Sequence, residues 1–205
     1  MNGDDPELDP WLARYPPADL TPEEFEQFVA DLFRSAHKNV EDLQVTSHER
    51  IAGVDGVYDF DATVRYRLLG MNFLVVVEAK KHAHSIKREL VQVLDSKVRS
   101  VGAHKGVLIS TARFQRGAIE FAQTHGIALV YVTEGRFTFE TRAATPVPYL
   151  SREEAAEAYG IPTFVGVYIG PGRDADGIML AIVGEDDPAS VCELLLGQPK
   201  SSWAS

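Results

Sequence analysis

Glu78, Ala79 and Lys80 close the apolar run Phe73-Leu74-Val75-Val76-Val77, and Asp61 lies 17 residues before Glu78 in a segment that alternates like a strand. Residues i and i+2 of a strand share a face, so the Glu78 carboxylate and the Lys80 ammonium project side by side. An antiparallel neighbour carrying Asp61 would bring a second carboxylate to Glu78. Two carboxylates converging at the end of a buried sheet repel each other unless a cation neutralises them. An oxygen-rich pair of this kind suits Mg²⁺, and a lysine beside it can orient or deprotonate water. The chemistry indicated is metal-dependent phosphodiester hydrolysis.

The surrounding pattern supplies elements to position these groups. Thr21-Pro22-Glu23-Glu24 starts a helix, with Thr21 as N-cap, Pro22 in the first turn and Glu24 completing a capping box. Phe25, Phe28, Val29, Leu32 and Phe33 then form one apolar stripe. A short strand is expected at 43–46. Gly53-Val54-Asp55-Gly56 is turn chemistry. After it, Tyr58, Phe60, Ala62, Val64 and Tyr66 take one face of a strand and Asp59, Asp61, Thr63, Arg65 and Arg67 the other. Residues 69–72 loop into the buried strand that ends at Glu78. A helix is predicted at 86–101 with Gly102 as its stop, a strand at 106–110, a helix at about 114–124 and a buried strand at 127–132. The order αβββαβαβ predicts an α/β fold with a mixed central sheet flanked by helices.

The chain divides into an acidic, proline-rich arm at 1–19, a core at 20–140 and a small acidic α+β appendage at 141–205. In the appendage, a helix is expected at 151–159, strands at 163–169 and 178–183, a turn between them, and a last helix from Asp187 to Leu196. The composition, 45% hydrophobic and 24% charged, is that of a globular protein, and no apolar run reaches the roughly 20 residues that span a bilayer. The start, Met1-Asn2-Gly3-Asp4-Asp5, lacks the basic and apolar regions of a signal peptide. With one cysteine, Cys192, there is no intrachain disulfide and no cysteine-based zinc site. A cytoplasmic location is the expectation.

A net charge of −10 argues at first against nucleic acid. The way the charge is distributed argues the opposite. Residues 80–116 hold nine Lys and Arg against two acids, Glu89 and Asp95. This basic excess follows directly on Glu78-Ala79-Lys80, where a phosphate backbone would need it. Lys81, Lys87, Arg88, Lys97, Arg113 and Arg116 are the candidate nucleic-acid contacts, with a solvated helix face as the plain alternative. His82, His84 and His104 read as loop histidines, because no cysteine and no helical i, i+4 histidine pair accompanies them.

These residues resemble the Mrr-like restriction endonucleases of the PD-(D/E)XK nuclease superfamily. The resemblance is carried by Phe25-Glu26, by Asp61 in Tyr58-Asp59-Phe60-Asp61-Ala62, by Glu78-Ala79-Lys80, by Gln92 in Val91-Gln92-Val93-Leu94, by 106–114, and by Gly117-Ala118-Ile119 and His125-Gly126-Ile127. It covers about residues 20–133 and implies a restriction-endonuclease-like core. It further implies that Asp61 and Glu78 ligate Mg²⁺, with Mn²⁺ able to substitute and the Ala79 carbonyl as a third oxygen. Lys80 would position or activate water and steady the charge of the transition state. Gln92 would hold water or phosphate, and Glu26 would support the site from the first helix. Asp59 is the alternative acidic ligand; the resemblance prefers Asp61 for its apolar flanks and its spacing to Glu78. Asp55 is a third candidate.

The resulting expectation is a Mg²⁺-dependent DNA endonuclease, acting as a homodimer, in restriction or defence against foreign DNA. A second reading is a catalytically silent nucleic-acid-binding module on the same fold. A third is a sensor or interaction protein whose acidic C-terminal appendage recruits a protein partner.

Overall fold

The computed structural model describes residues 20–38, 40–82, 84–134, 164–171, 178–184 and 187–197. The first helix, α1 (Pro22–Arg34), begins as its sequence dictates. The Thr21 N–H donates to Glu24 Oε2 at 2.7 Å, and the Glu24 N–H donates to Thr21 Oγ1 at 3.2 Å. Two end donors are thereby satisfied, and Phe25, Val29, Ala30, Leu32 and Phe33 turn inward.

Three antiparallel strands follow: β1 (Glu41–Ala52), β2 (Val57–Leu68) and β3 (Met71–Lys80). Then come α2 (Arg88–Val101), β4 (Lys105–Ser110), α3 (Arg116–His125) and β5 (Ala128–Glu134). Gly102, at φ 66°, ends α2 in the left-handed conformation that favours glycine. The two crossover helices make β3, β4 and β5 parallel neighbours. Strands covered on both faces carry continuous apolar runs, and Val75, Val76, Val77, Val107, Leu108, Ile109, Leu129 and Val130 are all buried.

The strands expected in the C-terminal appendage are present as β6 (Phe164–Pro171) and β7 (Ile178–Val183). Both continue the same sheet, antiparallel beyond β5, giving the order β1-β2-β3-β4-β5-β6-β7. A short helical turn, Pro188–Ser190, widens into a π-helical turn at Val191–Leu195. Its Val191, Cys192 and Leu195 pack beside α1, and the Tyr66 hydroxyl donates to the Leu196 carbonyl at 2.8 Å. The helix expected at 151–159 and the turn at 172–177 lie outside the described residues.

One face of the sheet is thus covered by α1 and the C-terminal turn, the other by α2 and α3. The fold is a mixed α/β sandwich of the restriction-endonuclease type, as its element order predicts.

Two local features depart from expectation. β1 runs 12 residues rather than four. As an edge strand bonded to β2 alone, it is largely exposed, so no apolar period marks it in the sequence. The alternation along β2 also breaks near Asp61. Ala62, Val64 and Tyr66 pack on the α1 face, whereas Tyr58 and Phe60 pack on the α2 side. Opposite this point lies His48, at φ 51°, between the rungs Ser47↔Ala62 and Glu49↔Phe60.

The β1–β2 turn is docked onto α2. The Val54 N–H donates to the Ser100 carbonyl at 3.0 Å, and Asp55 accepts from the Tyr58 hydroxyl at 2.9 Å and from the Ser100 hydroxyl. Gly53 allows this approach, since a Cβ there would collide with Ser100 Oγ.

Candidate active site

β3 lies inside the sheet, between β2 and β4, and its last three residues carry the polar groups. Val76 packs among the α2 and α3 side chains, so Glu78, two residues on, faces the same side. Glu78 is 6% exposed and pairs in the ladder with Leu108. Its carboxylate is therefore a buried charge that requires partners.

The first partner comes from its own strand: Lys80 Nζ donates to Glu78 Oε2 at 2.7 Å. The second carboxylate arrives because β2 parts from β3 here. Their ladder closes at Ala62↔Val77, one residue short of Asp61. The Ala79 N–H is left without a β2 carbonyl, and Asp61 Oδ2 accepts it at 2.7 Å. The same oxygen stands 3.7 Å from Lys80 Nζ. One ammonium thus lies within ion-pair distance of both carboxylates.

Burial pulls the Lys80 pKa down, but the hydrogen bond and charge of Glu78, and then the charge of Asp61, outweigh it. The net shift is upward from 10.5, which keeps Lys80 an ammonium at neutral pH.

Lys97 is the residue whose place here was not anticipated. Expected among the DNA contacts, its Nζ donates instead to Glu78 Oε1, in a short contact from α2. It also reaches the Asp59 carbonyl at 3.4 Å and lies 5.5 Å above the Phe60 ring. A signal existed: Lys97 follows Leu90 by seven residues and Leu94 by three, which places it on the buried stripe of α2.

The other candidates are distributed as follows. The Asp59 carboxylate pairs with Arg50 at 2.9 Å and is 73% exposed, so it is engaged on β1 and not at Lys80. Asp55 is held at the β1–β2 turn. Glu26 pairs with His48 at 3.6 Å, linking α1 to β1 opposite Asp61. Gln92 is exposed on α2, and its side chain makes no hydrogen bond with another described residue. Lys81, Lys87 and Arg88 are exposed, with Arg88 5.2 Å above the Phe121 ring. Arg116 pairs with Glu120 at 2.8 Å, and Arg113 is hydrogen-bonded to the Tyr131 phenol. His82 and His84 are exposed, and His104 Nδ1 accepts the Leu74 N–H at 3.1 Å.

The helix starts around this site are tied together. The Ile86 N–H donates to the Arg113 carbonyl at 2.7 Å, and the Gln115 N–H donates to the Ile86 carbonyl at 2.9 Å. The N-termini of α2 and α3 therefore stand side by side beyond the carboxyl ends of β3 and β4. In open α/β sheets this is where ligands bind, and helix N-termini favour phosphate.

Residues 17–134 match the restriction endonuclease family of the Mrr catalytic type. The chain belongs to that family. Membership makes this core a restriction-endonuclease-like nuclease domain, and the Asp61–Glu78–Lys80 group lies within the matched span. Among solved structures, a protein of unknown function, AF1548, is similar at 14% identity with a TM-score of 0.41, over 51% of this chain and 56% of its own. No curated protein matches. Among the described residues no helix is long and apolar enough to cross a membrane.

Proposed function

We propose that this member of the Mrr family is a Mg²⁺-dependent endonuclease that hydrolyses DNA phosphodiester bonds. The observation that carries the reading is the meeting of Asp61, Glu78 and Lys80 where β2 parts from β3.

The donor set fits the cation. Both carboxylates lie within 4 Å of one ammonium, at 2.7 and 3.7 Å, so a single positive centre can serve both. All available donors are hard oxygens. Among the described residues no third acidic or imidazole side chain completes a cage, and Mg²⁺ sites commonly use one or two carboxylates with water and substrate phosphate filling the rest. Because the Ala79 N–H meets Asp61, and a strand residue's N–H and C=O leave by the same edge, the Ala79 carbonyl is available on that side. When bound, the ion supplies Lewis-acid stabilisation of charge building on the phosphoryl oxygens.

The chain's own groups do the rest. Lys80, kept protonated by its two carboxylates, acts as a fixed donor: it orients the attacking water and stabilises the pentacovalent charge. Asp61 and Glu78 hold that ammonium in place. Lys81, Lys87 and Arg88 lie exposed along the approach to α2, where the DNA backbone would pass. Cutting both strands of a duplex requires two such centres, hence a homodimer. Cytoplasmic defence against foreign DNA is the setting that suits this chemistry, with the acidic C-terminal segment offering a surface to a protein regulator.

The deciding experiment incubates the protein with supercoiled plasmid and Mg²⁺, Mn²⁺ or EDTA, beside the Asp61→Ala variant. Nicking that needs the metal and Asp61 is expected. DNA binding without metal-dependent nicking would instead mark a silent binding module.

A further inference from the structure

Glu78 is clasped by two ammonium groups that are not equivalent. Lys80 Nζ donates to Oε2 from two residues along the same strand and also faces Asp61 at 3.7 Å. Lys97 Nζ donates to Oε1 from a different element, α2. Its other contacts among the described residues are neutral, the Asp59 carbonyl at 3.4 Å and the Phe60 ring at 5.5 Å. With Lys97 in place, the two carboxylates and two lysines sum to zero charge, and both Glu78 oxygens already accept donors.

A divalent cation entering at Asp61 and Glu78 needs one of those oxygens and adds two positive charges beside two ammonium groups. One lysine must yield. Lys80 is tied to both carboxylates, at 2.7 and 3.7 Å, whereas Lys97 holds Glu78 alone and has a carbonyl and an aromatic face to retreat to.

We propose that Lys97 competes with the divalent cation for Glu78 Oε1, locking the metal-free centre as a neutral salt-bridged cluster, and that its freed ammonium then serves the phosphodiester. This rests on Asp61 and Glu78 being the cation ligands, as proposed above. The lock has a physical use: without Lys97, a buried carboxylate would be left half-compensated whenever the cation is absent.

The test measures Mn²⁺ binding to the full chain without DNA, by loss of the free-ion electron paramagnetic resonance signal. Wild type is compared with Lys97→Met, Lys97→Gln, Lys97→Arg and Glu78→Gln, with circular dichroism melts checking folding. Met keeps the aliphatic stem over Phe60, and Arg keeps the charge. The Met and Gln variants are expected to bind Mn²⁺ roughly tenfold tighter, the lower end of what one neighbouring positive charge does to cation binding at a carboxylate, while nicking plasmid more slowly. Lys97→Arg should bind like wild type, and Glu78→Gln more weakly. Unchanged or weaker binding by folded Met and Gln variants, with the Glu78→Gln loss intact, overturns the competition and leaves the nuclease reading standing. If Glu78→Gln binds like wild type, or if neither wild type nor any variant binds the ion, both fall.

Discussion

Asp61 Oδ2 accepts the Ala79 N–H at 2.7 Å where β2 separates from β3. One side chain thereby closes a gap in the ladder and presents its carboxylate to Lys80. The two roles can be separated. Asp61→Asn keeps an acceptor for the N–H and should melt near wild type, whereas Asp61→Ala should lose about 1 kcal/mol. Both should lose plasmid nicking. An Asn variant that nicks at the wild-type rate would remove Asp61 from the chemistry.

Lys80 offers a cleaner test of catalysis. Lys80→Ala leaves Glu78 paired to Lys97, so the fold should persist in thermal melts. Cleavage should fall at least about 10²-fold, the loss typical of removing one preorganised donor. DNA affinity in a gel-shift assay should change little. Equal cleavage by this variant and wild type would refute the assignment.

The exposed cations at the start of α2 should act on phosphate alone. Lys87→Ala and Arg88→Ala are each expected to weaken DNA binding across sequences and to reduce the salt slope by about 0.9. Arg116→Ala should have a smaller effect, because Glu120 already neutralises it at 2.8 Å. Fluorescence anisotropy across a salt series reads both quantities. An unchanged slope for the first two variants would move the DNA path elsewhere.

Glu49 predicts how the long hairpin responds to acid. It accepts from Arg65 on both oxygens, at 2.5 and 2.9 Å, and from the buried Thr63 hydroxyl. The Arg65 hydrogen bond, partly opposed by burial and reinforced by Thr63, holds its pKa below the ordinary 4.5. The folded state therefore binds fewer protons than the unfolded one. The resulting stability is complete above about pH 4.5 and fades as pH falls through the folded value. Glu49→Gln should melt lower than wild type at about pH 7, and the gap should narrow as pH falls below about 4.5. A gap that stays constant with pH would show that shape, not charge, matters there.

The sequence alone determined a great deal about this protein. Local signals are written in adjacent residues, so α1 with its Thr21–Glu24 box, the buried runs of β3 to β5 and the Gly102 stop were all legible. So was the pairing of Glu78 with Lys80, because the period of a strand guarantees it.

Only the tertiary structure decided the rest, because those features depend on which distant segments meet. β1 is long because it borrows its order from β2, not from its own pattern. β6 and β7 extend the core sheet because β5 presents a free edge to them. Asp59 lies opposite Arg50 in the β1–β2 register and pairs with it, whereas Asp61 meets Lys80 where β2 parts from β3. The helical period puts Lys97 on the buried stripe of α2, but only the crossover of α2 over the sheet decides that Glu78 is what it meets.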